Sequence, residues 1–326
     1  MSAPGMRGLT LVELLVAMVL GVLVLGASLH FYLASLQGTQ DTLGVARVQE
    51  AGRLAMELIG NDIRGAGDPL CDRRHTVAVL LAERQRPFWT SLTEPLKGLP
   101  VAGQTGFEDP PLVTGAAPGQ RLPDMPALRL WTTTALALAT PGQSASDQPI
   151  AVTGSDLPEV GAPVVVCDFS TTVLVRATAT GAAIGHAAPA NCVDYFSTRD
   201  ACPAQPVPPA ARYRFGAEAA FGLPRQVRWF VGNDEEGTPS LYRQELMDGA
   251  VVASGVVSSG VTHFALRYLL DAKAGYVPAS QVPAAQWNRV HAVDVQLHLE
   301  SSTGAAADAH IVRSFRQTFS LRNRLP

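Results

Sequence analysis

Gly8-Leu9-Thr10-Leu11-Val12-Glu13-Leu14-Leu15-Val16-Ala17 opens the apolar run that decides how this chain is organised. From Leu14 to Leu29 there is no charged residue, and the apolar character extends to about Leu36. A helix needs roughly 20 apolar residues to cross the hydrocarbon core of a bilayer, so the segment is long enough to span. It lacks the layout of a secretory signal peptide, which has a basic region, a shorter apolar core and an Ala-x-Ala-like site after that core. Arg7 is the only charged side chain before the run. Basic flanks stay cytoplasmic, which sends the large C-terminal part to the far side of the membrane. One carboxylate, Glu13, interrupts the run. On one reading it reaches from the membrane edge into the headgroups. On the other it serves an intermolecular role, because an ionisable group inside a membrane is costly and marks function by default.

The same string resembles the processing site of type IV prepilins, which read Gly, an apolar residue, then Thr-Leu-Ile/Val-Glu. The resemblance implies that a prepilin peptidase cuts between Gly8 and Leu9 and methylates the new N-terminus on Leu9. Leu stands there in place of the commoner Phe. Glu13 becomes the fifth residue of the mature chain, and its functional reading is to partner the methylated amine of a neighbouring subunit. Removing one member of such a pair leaves an uncompensated charge. The cut precedes the apolar run, so the mature protein keeps its membrane helix. Met6 is an alternative start that shortens the leader to Met-Arg-Gly.

The chain has 326 residues, enough for one membrane helix and one sizeable globular domain. Net charge is −3, and Lys occurs only at Lys97 and Lys273. With no Lys/Arg cluster and no interleaved aromatic stripe, nucleic acid is an unsupported partner. The cysteines are Cys71, Cys167, Cys192 and Cys202, none at Cys-x-x-Cys spacing, which argues against zinc or a thioredoxin-like site. An even number outside the cytoplasm points to two disulfides. Four cysteines allow three connectivities, and spacing does not choose among them. We expect Cys192–Cys202, closing a short polar loop, and Cys71–Cys167, tying the helix end to the sheet; free buried thiols are the alternative.

No Gly-x-Ser-x-Gly, His-Glu-x-x-His or phosphate loop is present, so no enzyme and no cofactor is expected. The seven histidines, at 30, 75, 186, 263, 291, 298 and 310, are scattered. His291 and His298 fall on one predicted strand on opposite faces and read as ordinary sheet residues. Gly232-Asn233-Asp234-Glu235-Glu236-Gly237 reads as a hairpin turn. Its acidic residues lack the ligand spacing of a calcium loop, so no metal is expected.

Helical spacing continues beyond Leu36. Ala51, Leu54, Ala55, Leu58, Ile59 and Ile63 form an apolar stripe with Arg53, Glu57, Asn61, Asp62 and Arg64 between them. Gly65, Gly67 and Pro69 supply stop signals. After Cys71 short β-like runs alternate with Pro/Gly-rich loops. Expected strands are Thr76–Leu81, Leu128–Thr132, Val164–Phe169, Thr172–Thr178, Gln226–Val231, Leu241–Gln244, Val261–Leu270, Arg289–Glu300 and Ile311–Leu321. In the clearest of them Val293, Val295, Leu297 and Leu299 alternate with Asp294, Gln296, His298 and Glu300, the pattern of one buried face. Residues 82–126, 138–162 and 179–212 are rich in Pro, Gly and Ala. Loops of that length are uncommon unless functional or disordered, so at least one is expected to be an ordered, partner-facing surface.

A second resemblance lies in Arg53-Leu54-Ala55 through Asn61-Asp62-Ile63-Arg64-Gly65-Ala66-Gly67 and Cys71. It continues in Arg228-Trp229-Phe230, Leu241-Tyr242-Arg243, Trp287-Asn288-Arg289-Val290 and Phe319-Ser320-Leu321-Arg322-Asn323-Arg324. These are similar to segments of the PilW family of minor pilins. The resemblance implies an α+β, type IV pilin-like fold: a long N-terminal helix, membrane-spanning in its first half, packed on an antiparallel β-rich head. Residues 1–8 are then leader, 9–36 the transmembrane half of the helix, 37–67 its amphipathic half, and 68–326 a periplasmic or extracellular head with long loops. The implied role is a minor pilin that takes part in initiating type IV pilus assembly and sits at or near the pilus tip. The implied partners are the prepilin peptidase, other minor pilins, the major pilin, the inner-membrane assembly platform and a PilY-type tip adhesin. The implied location is the inner membrane, with the N-terminus cytoplasmic, and then the pilus tip. Two alternatives remain: a J-type pseudopilin of type II secretion, usually shorter than this chain, and an adhesive or ligand-binding tip subunit.

Overall fold

A computed structural model describes residues 10–67, 76–82, 94–101, 111–136, 145–152, 157–198, 206–216, 218–271, 275–301 and 311–321. The chain divides into two units, Met1–Glu50 with Glu300–Arg313 and Ala51–Leu299 with Ser314–Pro326.

A single helix, α1, runs from Leu11 to Gly65 without a proline. Thr10 caps its start. Near its end the Ala66 amide donates to the Ile63 carbonyl and Gly67 takes a φ of 69°, where a side chain would be strained. Within the first unit the apolar side chains of the helix face outward, with Leu11 79%, Leu25 71% and Phe31 78% exposed. Within the second unit the helix buries Ala55, Met56, Ile59, Ile63 and, without side chains, Gly52 and Gly60. This stripe is rotated from the sequence expectation: Leu54 is 48% exposed, and glycines take two of the inward places.

Every strand expected from the sequence forms. In chain order the strands are β1 (Thr76–Val79), β2 (Leu96–Leu99), β3 (Ala127–Leu136), β4 (Ile150–Ala151), β5 (Pro163–Cys167), β6 (Thr171–Arg176), β7 (Ala183–Ile184), β8 (Ala220–Asn233), β9 (Pro239–Met247), β10 (Ala250–Ser259), β11 (Val261–Leu269), β12 (Tyr276–Pro278), β13 (Ala292–Ser301) and β14 (Ile311–Ser320). The expected strand at Arg289–Glu300 starts later, because Ala284–Arg289 forms a 3-10 helix and His291 lies just before β13. Two strands of useful length, β2 and β10, were not foreseen.

The larger sheet follows the order β1-β6-β5-β8-β3-β2, with β9 also paired to β8 and β10 to β9. Its organiser is β8, which pairs antiparallel with β5, β3 and β9 along different parts of its length. The pair β1–β6 is parallel, the exception in this sheet. A second sheet has the order β12-β11-β13-β14. Gly260, at a φ of 75°, carries the chain from β10 into β11.

On β13, Val293, Val295, Leu297 and Leu299 are buried as the alternation requires. Burying each such side chain is worth roughly 1.5–3 kcal/mol. Asp294, on the opposite face, is also buried, because Arg316 on β14 covers its carboxylate, Nη2 to Oδ2 2.9 Å.

The Pro/Gly-rich stretches hold core. Ile150 and Val152, the two-stranded pair β4–β7, Phe196 and Phe215 pack with Val164, Val166, Val173, Val175 and Phe221 in one buried cluster. Phe196 and Phe215 meet edge to face at 4.9 Å, a geometry aromatic quadrupoles favour.

Candidate assembly site

Gly8 and Leu9 lie outside the described residues. Glu13 sits in the first turn of α1. Its Oε2 accepts from the Thr10 amide at 2.9 Å and the Thr10 hydroxyl at 3.0 Å, while the Glu13 amide donates back to Thr10 Oγ1 at 3.3 Å. This is a reciprocal capping box, which satisfies two of the four orphan amides at a helix start. A negative charge here also complements the positive end of the helix dipole. The sequence reading missed the cap, although Thr10-x-x-Glu13 is its signature.

The capping box spends one carboxylate oxygen. Oε1 of Glu13 carries no bond among the described residues, and the side chain is exposed. The carboxylate can therefore hold its own helix start and still accept a donor from outside. Around it, Leu11, Val12, Leu14 and Leu15 are all more than half exposed. Apolar surface on this scale belongs in lipid or against other apolar helices. By length and hydropathy this helix can cross a membrane.

In the second unit the helix is held by a charged clamp. Asp62 Oδ2 accepts from the Trp229 indole at 2.8 Å and from Arg243 Nε at 2.9 Å, and Oδ1 accepts from Arg243 Nη2 at 3.0 Å. Arg243 reaches Glu245 at 3.3 Å, and Glu245 binds Arg225 at 2.7 Å. The hydrogen bond to Asp62 holds the Arg243 guanidinium above its ordinary pKa. Asp62, Trp229 and Arg243 were all quoted from the sequence as family-like segments, but nothing there showed that they meet.

Cys167, at the end of β5, and Cys192 are both disulfide-bonded. Their expected partners, Cys71 and Cys202, lie outside the described residues. The acidic turn between β8 and β9 is occupied by its own donors. Asp234 accepts from the Thr238 and Glu236 amides at 2.8 and 3.2 Å and from the Ser240 hydroxyl at 2.8 Å. These bonds, that of Ser240 first, hold the Asp234 carboxyl below its ordinary range. Its lone pairs are committed to the turn. His298 meets His263 across β11–β13, ring centres 4.8 Å apart, a juxtaposition invisible without the register. Among the described residues no group of three or more His, Cys, Asp or Glu is placed to hold a metal ion.

Residues 4–29 match the family described as the prokaryotic N-terminal methylation motif. Residues 228–315 match the family described as type IV pilus-assembly protein W. The first match contains the Gly8–Glu13 string. The second contains Trp229, Arg243 and Trp287, and leaves the Arg53–Gly67 segment outside. No curated protein matches the chain. Both matching families are structural rather than enzymatic, and they imply dealings with prepilin peptidase and other pilus components.

Proposed function

We propose that this chain, which its two family matches support as a type IV pilus minor pilin of the PilW family, takes part in initiating pilus assembly and sits at or near the pilus tip. The observation that carries this reading is the exposed apolar half of α1 headed by a carboxylate whose Oε1 accepts no bond among the described residues. In this reading Gly8–Leu9 is cut and Leu9 is methylated. The helix stays in the inner membrane with its N-terminus cytoplasmic, and the β-rich residues from 68 onward form the head on the far side. Neighbouring apolar helices then pack together, and Glu13 Oε1 accepts the methylated amine of an adjacent subunit while Oε2 keeps the cap. Partners are the other minor pilins, the major pilin, the assembly platform and a PilY-type adhesin. Disulfides Cys71–Cys167 and Cys192–Cys202 stiffen the head.

Counting surface pili in a clean deletion strain, beside a complemented strain, tests the reading. Loss of pili restored by complementation supports it. Normal pili with lost export of exoproteins would move the chain to type II secretion.

A further inference from the structure

We infer that His263 on β11 and His298 on β13 form a site for one divalent transition-metal ion of the zinc and copper class, on the outer face of the four-stranded sheet. The inference goes beyond the minor-pilin reading and stands without it.

The register of β11 on β13 sets the two residues directly opposite each other, so both side chains leave the same face. Val293, Val295, Leu297 and Leu299 take the buried face of β13, and His298 takes the other. His263 is exposed and His298 half-buried, so an ion and its waters can reach the rings. Their ring centres stand 4.8 Å apart. An imidazole nitrogen lies about 1.1 Å from its ring centre and about 2.0–2.1 Å from a bound zinc, so two rings on one ion at right or tetrahedral angles have centres about 4.5–5.2 Å apart. The pair already stands inside that interval.

Both rings keep a nitrogen for the ion. His263 makes no hydrogen bond among the described residues, and His298 is met at Nε2 alone, where the Gln296 amide lies 2.9 Å away. Nδ1 of His298 is left for the ion. With the metal on Nδ1, Nε2 carries the proton, and the Gln296 amide, turned by half a rotation, accepts it through its oxygen. A partner on the far nitrogen is what fixes the ring of a metal-bound histidine. Asp294, on the same face of β13, is committed to Arg316 and Thr318. Burial, and then the charge of His298, hold the His263 imidazole below its ordinary pKa, in the neutral form that binds a metal. β11 breaks register immediately beyond the pair, between Val261 and His263, and bulges gather beside functional sites. Imidazole suits zinc and copper, whereas calcium and magnesium take oxygen ligands. With two protein donors the remaining positions belong to water, which makes the ion exchangeable rather than structural.

The test uses the full-length chain, solubilised in detergent, made without a histidine tag and stripped with EDTA. Zinc chloride is titrated in, and binding is read by isothermal calorimetry. The expected result is one zinc ion per chain. That binding should be lost in His263→Ala and in His298→Ala, and weakened about tenfold in Gln296→Ala. His30, His75, His186, His291 and His310 remain in every variant and control for scattered binding. Zinc should raise the melting temperature of wild type and leave that of both alanine variants unchanged, because only a chain that binds the ion gains by mass action. Copper(II)-loaded wild type, read by electron paramagnetic resonance, should show two nitrogen donors, a measurement that needs no variant to fold. Absence of zinc binding, wild-type affinity in either alanine variant, equal binding of magnesium, or a copper spectrum with fewer than two nitrogen donors would each overturn the site.

Discussion

Asp62 joins residues that lie 167 and 181 positions away in sequence and answers three donors with one carboxylate. Trp229 is fully buried, so its indole N–H has no water to turn to. Breaking a buried pair from one side costs about 3–5 kcal/mol, because the remaining charge loses its compensation. Arg243 keeps Glu245 and some solvent contact, so Asp62→Ala should cost less than that range, about 2–3 kcal/mol. Chemical denaturation of the detergent-solubilised protein measures it. Arg243→Ala should cost clearly less in the Asp62→Ala background than in wild type, since the partner is already gone. Additive costs would show that the two side chains do not act together. Asp234 makes a different prediction, in pH. Its folded carboxyl titrates below its ordinary value because Ser240 and two backbone amides donate to the charged form. A depressed folded pKa gives stability that is complete above the unfolded value of about 3.9 and disappears as pH falls through the folded one. Asp234→Asn should therefore melt below wild type near neutral pH, and the gap should close as pH falls below the unfolded value of about 3.9. A gap independent of pH would mean that the charge plays no part in the turn.

At the scale of elements, the last strand seats itself in notches cut into α1. A side chain at Gly52 would enter the ring of Phe315, and one at Gly60 would enter the ring of Phe319. Phe319 is 3% exposed and has Arg64 lying over its face at 5.6 Å, so its ring has nowhere to swing. Two effects oppose each other when Gly60 becomes Ala. Helix propensity gains about 1 kcal/mol, and overpacking costs about 1–3 kcal/mol. With a buried ring as the obstacle, overpacking wins and Gly60→Ala destabilises. In a Phe319→Ala background the obstacle is gone, and the same change should become stabilising. That reversal of sign, read from melting temperatures, separates a steric notch from a general need for glycine. The notches also show what a sequence hides. The helical spacing of Ala55, Ile59 and Ile63 was legible, but Leu54 and Leu58 look more apolar than Gly52 and Gly60, so the inward face was misplaced. The strands at 164, 226, 241 and 293 announced themselves by runs of Val, Leu and aromatic residues. β10 did not, because a bare edge strand of Ala, Ser, Gly and Val has no alternation to read. β2, four residues between prolines, looked like loop. The parallel pairing of β1 with β6 and the meeting of His263 with His298 depend on register, which no local pattern carries.

The whole molecule divides its labour along the chain. On the proposed reading, residues 1–8 would address the chain for processing, the apolar half of α1 would hold it among lipid or other helices, and the β-rich part would present surfaces to partners. That reading rests on composition over long stretches, whereas the clamp at Asp62 arises only when distant segments meet. If the division is real, processing, anchoring and assembly should fail separately. A bulky residue at Gly8, as in Gly8→Leu, should leave the leader attached while the protein stays in the membrane. N-terminal sequencing settles it, and a mature end at Leu9 in that variant would refute the cleavage site. Glu13 should act one stage later. Glu13→Ala removes both the cap and the charge, whereas Glu13→Gln keeps an oxygen for the Thr10 amide and removes only the charge. Both should be processed and anchored like wild type, because the apolar run long enough to span a membrane is untouched. If the carboxylate serves an incoming amine, Gln should fail in assembly as Ala does, read as surface pili at equal protein level. If Gln instead restored assembly, the helix cap would be the essential function of Glu13 and the amine pairing would be dispensable.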